Sequence, residues 1–326
     1  MLAVGQDIGH SAVKVAARTQ TLFPTAAVRA PAEGVNTGLG DSLGEVVMVN
    51  GARYLTGEDA LIQSGGRAVD PLSDDWVSSP EYLALLKTGY RVALRSAGMD
   101  PSQSSEVILG LGLPSRLFKA QKKAVKEGAA ACLGLPGDAV VVVPQSLAAL
   151  YAYLLAPTGT PAQVPKADGR WIVVDVGYYT TDFGLVERRR WSDVGEESIG
   201  GAYLAAKALR RLIAAERGFS PTIREASDAL YSRVLHDEGE VVPIDALVDQ
   251  ASESLVESVM GGIESTFGTD TLHNAAGIML AGGGSILLAD AARRRWKHVT
   301  VPEQARFAVA EGLRRIACGV NLLRAA

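Results

Sequence analysis

The chain has 326 residues, of which 48% are hydrophobic and 21% charged. That is enough for two medium domains, each with a core of its own. A formal net charge of −4 argues against a surface that coats nucleic acid generally. Two cysteines, Cys132 and Cys318, are too few for a disulfide framework or a cysteine zinc site, and both are expected as buried thiols in a cytoplasmic chain.

In chain order, residues 2–6 and 13–17 read as strands around a turn. Asp7 interrupts the opening apolar stretch and no basic start precedes it, so a signal peptide is not expected. Residues 45–49 and 52–55 read as a hairpin about Asn50-Gly51, a strong turn signal. A helix is expected to open near Gly57, and a second over residues 80–97, whose apolar side chains recur at helical spacing. Residues 107–113 form a buried-strand pattern closed by Pro114. Residues 118–133 read as a helix with Lys122, Lys123 and Lys126 on its wet side. Residues 140–143 read as a strand and 147–155 as a helix. The uncharged run 139–165 is long enough to cross a bilayer, but Pro144-Gln145-Ser146 and Pro157, Pro161 and Pro165 divide it into strand, turn, helix and loop.

After an expected linker or surface loop at 156–169 the pattern restarts. Strands are expected at 171–175, 183–187 and 277–281, with helices from Gly200-Gly201 to Ile213, over 245–267 and over 304–322. The acidic stretch 236–240 reads as a surface loop. The basic spots 187–191 and 293–297, each with a tryptophan, read as solvated hairpin or helix ends. His236, His273 and His298 have no metal-ligand spacing. Strands alternate with helices in both halves, so the fold class is α/β.

One motif occurs twice. Residues 7–14 read DIGHSAVK and residues 175–182 read DVGYYTTD. Each Asp-x-Gly turn follows a short apolar strand, leads into another, and carries hydroxyl residues just past the glycine. Glycine in a tight turn lets backbone N–H groups approach a ligand, and successive N–H groups make a concave anion site. Ser11, Thr180 and Thr181 add donors, and Lys14 adds a point charge for phosphate oxygens. Asp7, Asp175 and Asp182 would repel bare phosphate, but suit a hydrated Mg²⁺ between. A lone Asp-x-Gly is usually only a hairpin; two at matching places, one opening each half of the chain, carry more weight. A third element, LAGGGSILL at 280–288, runs a buried strand through Gly282, Gly283 and Gly284 into a helix. Such a junction suits phosphate or a flat base, although it is also a common crossover. The Walker-type Gly-Lys pair and Gly-x-Gly-x-x-Gly are both missing, which removes the common phosphate loop and any support for a nicotinamide dehydrogenase.

These three motifs together resemble those of the actin, sugar-kinase and heat-shock ATPase superfamily. FPTAAV at 23–28, YLTGEDA at 54–60, SSPEYLALLKTGYRVAL before VILGLGLPSRLF, and VPQSLAALYAYL make the chain look most like the bacterial plasmid-segregation actins of the ParM/StbA type. The resemblance implies duplicated, actin-like (ribonuclease H-like) domains around a nucleotide cleft. Domain I would span 1–165, with the helix 304–326 packing back onto it, and domain II would span 166–303. It implies ATP- or GTP-driven filaments with Mg²⁺, and a DNA-binding adaptor as partner, with no direct binding of nucleic acid or membrane. By position, Asp7 and Asp175 would organise Mg²⁺ through water, and Gln145 would place the attacking water. Gly9, His10, Ser11, Lys14, Gly177, Thr180, Thr181 and Asp182 would line the phosphates. Gly200, Gly201, Gly282, Gly283 and Gly284 would border the nucleoside. Two departures stand out: Tyr178-Tyr179 occupy the place of a frequent glycine pair, and His10 that of a small hydroxyl residue. A non-polymerising nucleotide-binding scaffold and a small-molecule kinase of the same superfamily remain as alternatives.

Overall fold

The computed structural model describes residues 1–30, 46–65, 76–100, 106–192 and 198–325. The chain divides into two units: Met1–Ala167 with Phe307–Ala326, and Asp168–Arg306.

The first unit opens with β1 (Leu2–Ile8), β2 (Ala12–Ala16) and β3 (Gln20–Pro24). Next come β4 (Ala27–Arg29), β5 (Val47–Val49), β6 (Ala52–Thr56) and α1 (Gly57–Gln63). The turn joining β5 and β6 has Asn50 and Gly51 both at positive φ, as the Asn-Gly pair predicts; Glu45, expected to start this hairpin, lies outside the described residues. Helix α2 (Pro80–Ser96) begins at Ser79, whose hydroxyl accepts from the Tyr82 N–H, with proline at its first turn. Then follow β7 (Val107–Leu113), α3 (Ser115–Leu133), β8 (Val140–Pro144) and α4 (Gln145–Leu154). The main sheet runs β3-β2-β1-β7-β8, while β4-β6-β5 form a small one.

The second unit repeats this plan. Strands β9 (Arg170–Val176), β10 (Thr180–Glu187) and β11 (Arg190–Ser192) are followed by β12 (Ser198–Gly200). Helices α5 (Tyr203–Arg217) and α6 (Ile223–Ser232), strands β13 (Val234–Asp237) and β14 (Glu240–Pro243), and helix α7 (Asp245–Asn274) come next. Strand β15 (Gly277–Ala281), α8 (Ser285–Arg295) and β16 (Val299–Thr300) complete it. The sheet order β11-β10-β9-β15-β16 reproduces that of the first unit, with the first hairpin antiparallel and the last two pairings parallel in both.

Helix α9 (Ala308–Ala325) belongs to the first unit. It lies against β1, β7 and α4 at glycines that permit contact with bare backbone. A side chain at Gly5 would strike the Ala310 carbonyl, one at Gly110 the Leu313 carbonyl, and one at Gly312 the Ala148 carbonyl. Because neighbouring residues of a strand face opposite sides, Gly5 and Asp7 look toward α9 and α4. Gln6 looks toward α2, where its amide donates to the Leu85 carbonyl.

Several sequence expectations need correction. Residues 236–240 are not a loop but the turn of the β13–β14 hairpin, with Glu238 and Gly239 at positive φ. The helix expected over 245–267 does stop where Gly268 breaks it, but a further helical segment carries α7 on to Asn274, and the last helix starts at Ala308 rather than 304. Gln145 does not end a strand; it is the first residue of α4. The segment after α4 is no free linker, since its Gly159 packs on Gly319 of α9. Cys132 and Cys318 are half-buried rather than buried, and burial raises both thiols. No helix among the described residues is long and apolar enough to cross a membrane.

Candidate functional site

In the first unit, the turn joining β1 and β2 is closed by the Gly9 N–H donating to the Ala12 carbonyl at 3.2 Å. Thr25, buried at the end of β3, holds this turn from outside. Its hydroxyl donates to the Gly9 carbonyl and its N–H to the Ser11 carbonyl. In a planar trans peptide the N–H points opposite to the C=O, so fixing the Gly9 carbonyl aims the His10 N–H away from Thr25. Ser11 stands exposed at the tip and His10 half-exposed beside it.

Asp7 is 3% exposed and has a partner on each oxygen. Lys14 Nζ donates to Oδ2 at 2.8 Å, and Gln145 Nε2 to Oδ1 at 2.8 Å. Asp7 faces Lys14 because β1 and β2 pair them in register. Gln145 arrives because β8 runs directly into α4, and Gly112 on the neighbouring strand leaves space for its side chain. An ionised carboxylate only accepts. The Gln145 amide must therefore turn its NH₂ toward Asp7, which directs Oε1 elsewhere as a hydrogen-bond acceptor.

In the second unit, the turn between β9 and β10 is closed the same way: the Gly177 N–H donates to the Thr180 carbonyl at 2.8 Å. Three carbonyls of this turn are taken by the start of α5. Gly201 N–H donates to Tyr179, Ala202 to Gly177 and Tyr203 to Tyr178. By the same planarity, the Tyr178 and Tyr179 N–H groups point away from α5, two successive donors at the tip of the turn. Gly201 must be glycine, since a side chain there would lie 2.6 Å from the Gly177 carbonyl. Gly200 pairs with Thr180 in the β12–β10 ladder. The Thr181 hydroxyl is buried and donates to the Gly200 carbonyl, while Thr180 donates to Asp182; Thr181 therefore ties strands together rather than reaching outward. Asp182 faces Asp175 across the ladder, in the position that Lys14 holds opposite Asp7.

The tyrosines do not splay apart. Tyr178, Tyr179 and Tyr203 form a three-ring cluster with centroids 4.8, 5.1 and 5.6 Å apart. The Tyr178 hydroxyl lies 2.8 Å from the Ser227 hydroxyl on α6.

The glycine turn after β15 joins the same place. Gly282 takes φ +82, and a side chain there would run into Asp175 and Val176. The Gly284 N–H donates to the Val176 carbonyl, and the Ser285 hydroxyl caps back onto Gly282. Gly283 leaves open a space bordered by Arg306 and Tyr231. The Arg306 guanidinium sits 6.0 Å above the Tyr231 ring; burial pushes that phenol up, with Arg306 pulling the other way. A flat cation beside bare backbone can stack on a planar ligand.

Each unit thus gathers its own predicted residues. Sequence reasoning missed Thr25, Tyr203, Tyr231 and Arg306. Thr25 lay within the FPTAAV stretch, whereas the others carried no local signal. Among the described residues there is no group of three or more His, Cys, Asp or Glu placed to hold a metal ion.

The comparisons with known proteins agree with the duplicated α/β fold. Residues 5–130 match the N-terminal domain of actin-like proteins, and residues 173–293 match the C-terminal domain of the archaeal actin homologue MreB-like family. Among solved structures, the archaeal actin homologue Ta0583 superposes with a TM-score of 0.75 at 23% identity, over 97% of this chain and 99% of that one. It has also been solved in complex with ADP. The ParM protein of pSK41 superposes at 0.70 and 18% identity, over 99% and 98%. ParM from a 15-stranded filament of Clostridium botulinum does so at 0.71 and 14%, over 97% and 98%. No curated protein sequence matches the chain.

Proposed function

We propose that this chain, whose residues 5–130 and 173–293 match domains of actin-like proteins, binds ATP or GTP with Mg²⁺, assembles into filaments in that state, and hydrolyses the nucleotide within them. The filament would position plasmid or other DNA in the cytoplasm through a separate DNA-binding adaptor. One observation carries the nucleotide reading above all. The Asp-x-Gly turn with its glycine N–H closed onto the carbonyl three residues ahead is present in both units, on the same hairpin of the same sheet order. The ADP complex of the archaeal homologue and the ParM filament point the same way.

In this reading the His10 N–H and the Tyr178 and Tyr179 N–H groups bind phosphate oxygens, and Lys14 adds charge while held by Asp7. Gln145, fixed through its NH₂, presents Oε1 to a water and orients it. An amide is no strong base, so hydrolysis in the isolated chain is slow. A Mg²⁺ brought in on the phosphates would neutralise their charge while keeping several waters. Asp175 and Asp182 suit its hydrated shell, since the ladder sets a second carboxylate rather than a lysine opposite Asp175. Arg306 and Gly283 border the nucleoside.

The test is pelleting and light scattering of the pure chain with Mg²⁺ and ATP, GTP, ADP or a non-hydrolysable analogue, with phosphate release followed alongside and Asp175→Ala as control. Triphosphate-dependent pelleting that the variant loses supports the motor. The tyrosine cluster, which stiffens the second turn, favours a second reading as a non-polymerising scaffold; tight nucleotide binding with no pelleting at any concentration would select it.

A further inference from the structure

Helix α6 reaches two parts of the second-unit site through side chains one turn apart. Ser227 and Tyr231 stand four residues apart, and so lie on one face of the helix. Ser227 meets the Tyr178 hydroxyl at 2.8 Å. The Arg306 guanidinium lies over the Tyr231 ring, whose hydroxyl borders the open space beside Gly283. The helix is pinned at both ends. At its start the Thr222 hydroxyl accepts from the Glu225 N–H, and the Glu225 carboxylate accepts from the Thr222 N–H. At its end Arg233 takes φ +59, and its guanidinium bonds Asp245 and Asp249 of α7.

The direction of the Tyr178–Ser227 bond follows from counting protons. A serine hydroxyl has one proton to donate. Ser227 donates its own to the Ile223 carbonyl at 2.7 Å, so the Tyr178 hydroxyl donates to Ser227. Burial pushes the Tyr178 phenol up, with the Ser227 bond pulling the other way; it keeps its proton at neutral pH and stays a donor. Tyr178 is thereby held at two points, its carbonyl by the Tyr203 N–H of α5 at 2.7 Å and its phenol by α6. A glycine in this place would leave the tip of the turn bare. A tyrosine ring has to lie somewhere, and the bond to Ser227 lays it toward α6.

We propose that Ser227 is a positioning residue for nucleotide binding: it draws the Tyr178 ring onto α6 and so keeps the Tyr178 and Tyr179 N–H groups uncovered for phosphate. The inference rests on the nucleotide reading above and is independent of the filament. Donors already aimed need no reordering when the anion arrives. A ring released from α6 has to be ordered again on binding, and that ordering is subtracted from affinity. The nucleoside end of the site, at Gly283, Tyr231 and Arg306, does not pass through this bond. Ligands that carry phosphate should therefore feel its loss, and a nucleoside should not.

The test is isothermal titration of the full-length chain with non-hydrolysable ATP and GTP analogues, and with adenosine and guanosine read by competition against them. Ser227→Ala and Tyr178→Phe each delete the bond, and thermal unfolding checks that each variant folds. Either change should lower triphosphate affinity by about five- to tenfold, roughly the worth of one hydrogen bond, and leave nucleoside affinity within about twofold. Because both remove the same bond, the double variant should bind no more weakly than the weaker single. Ser227→Thr, which restores the hydroxyl, should recover the affinity that Ser227→Ala loses. If both single variants bind triphosphate like wild type, or lose triphosphate and nucleoside alike, Ser227 is a structural residue only and the proposal is overturned while the nucleotide reading stands. Additive losses in the double variant would overturn it too. A wild-type chain that binds no triphosphate removes the nucleotide reading and this inference with it.

Discussion

Gln145 and Asp7 are 138 residues apart, yet the amide of one is locked by the carboxylate of the other at 2.8 Å. The pair couples the first residue of α4 to the end of β1. It decides which end of the amide is available for chemistry.

Replacing Gln145 with alanine should slow phosphate release by about ten- to a hundredfold, the cost of a poorly placed reactant. Nucleotide affinity should stay near wild type, because the N–H groups proposed to bind phosphate are elsewhere. Single-turnover phosphate release alongside a binding titration separates the two. A variant that hydrolyses at the wild-type rate would remove Gln145 from the reaction.

Thr25→Val keeps the shape of the side chain but deletes the donor to the Gly9 carbonyl. That carbonyl would lose its partner in a part-buried place, at a cost of about 1–3 kcal/mol. The first turn should loosen and nucleotide affinity should fall by about tenfold, with the second turn untouched. Isothermal titration with a non-hydrolysable triphosphate reads this directly, and an unchanged affinity would make Thr25 a purely structural residue.

Gly312→Ala should be among the most damaging small changes in the chain. A methyl there meets the Ala148 carbonyl of α4, which is backbone and has little room to yield. Overpacking of this kind costs about 1–3 kcal/mol or more. Thermal unfolding followed by circular dichroism should show a clear drop in Tm, whereas Gly128→Ala, at a helical glycine with open space around it, should leave Tm nearly unchanged or raise it.

Glu311 gives a pH signature. Burial alone would raise its carboxyl, but Arg314 and Arg315, bonded at 2.7 and 2.6 Å, outweigh burial and hold it below the ordinary 4.5. A depressed carboxylate stabilises the fold fully above its unfolded pKa, and that stability is lost as pH falls through the folded value. Glu311→Gln should therefore unfold at lower urea than wild type near about pH 7. The gap should close as pH drops below about 4. A gap independent of pH would mean that the arginines act through packing.

Much of this was legible in the sequence because the signals were local. The two Asp-x-Gly turns, the Asn50-Gly51 hairpin and the strand before Gly282 are each written within ten residues. What escaped depended on residues brought together by the fold. Thr25 matters only because β3 ends beside the β1–β2 turn, and Arg306 only because the chain returns past Gly283. The β13–β14 hairpin hid behind charged residues that read as a loop, although Glu238-Gly239 could have marked its turn. The helix expected over 245–267 stops at the residue before Gly268, which breaks α7; the short helical segment beyond it, to Asn274, carried no signal of its own. Cys132 and Cys318 were expected to be buried because their surroundings are apolar and a free thiol packs as a small hydrophobe, but apolar neighbours in sequence do not set the depth at which a helix side chain sits.

The return of α9 to the first unit has a consequence for synthesis. That unit is discontinuous: its sheet is made from the first half of the chain, but Ala308, Val309, Ala310, Leu313 and Ala317 of its core emerge only after the whole of the second unit. The second unit, residues Asp168–Arg306, is continuous and can close as soon as it leaves the ribosome. The half translated second is thus able to fold first, while the half translated first waits with Gly5, Gly110 and Gly112 uncovered. The first unit of a nascent chain thus cannot complete its core until α9 has been made.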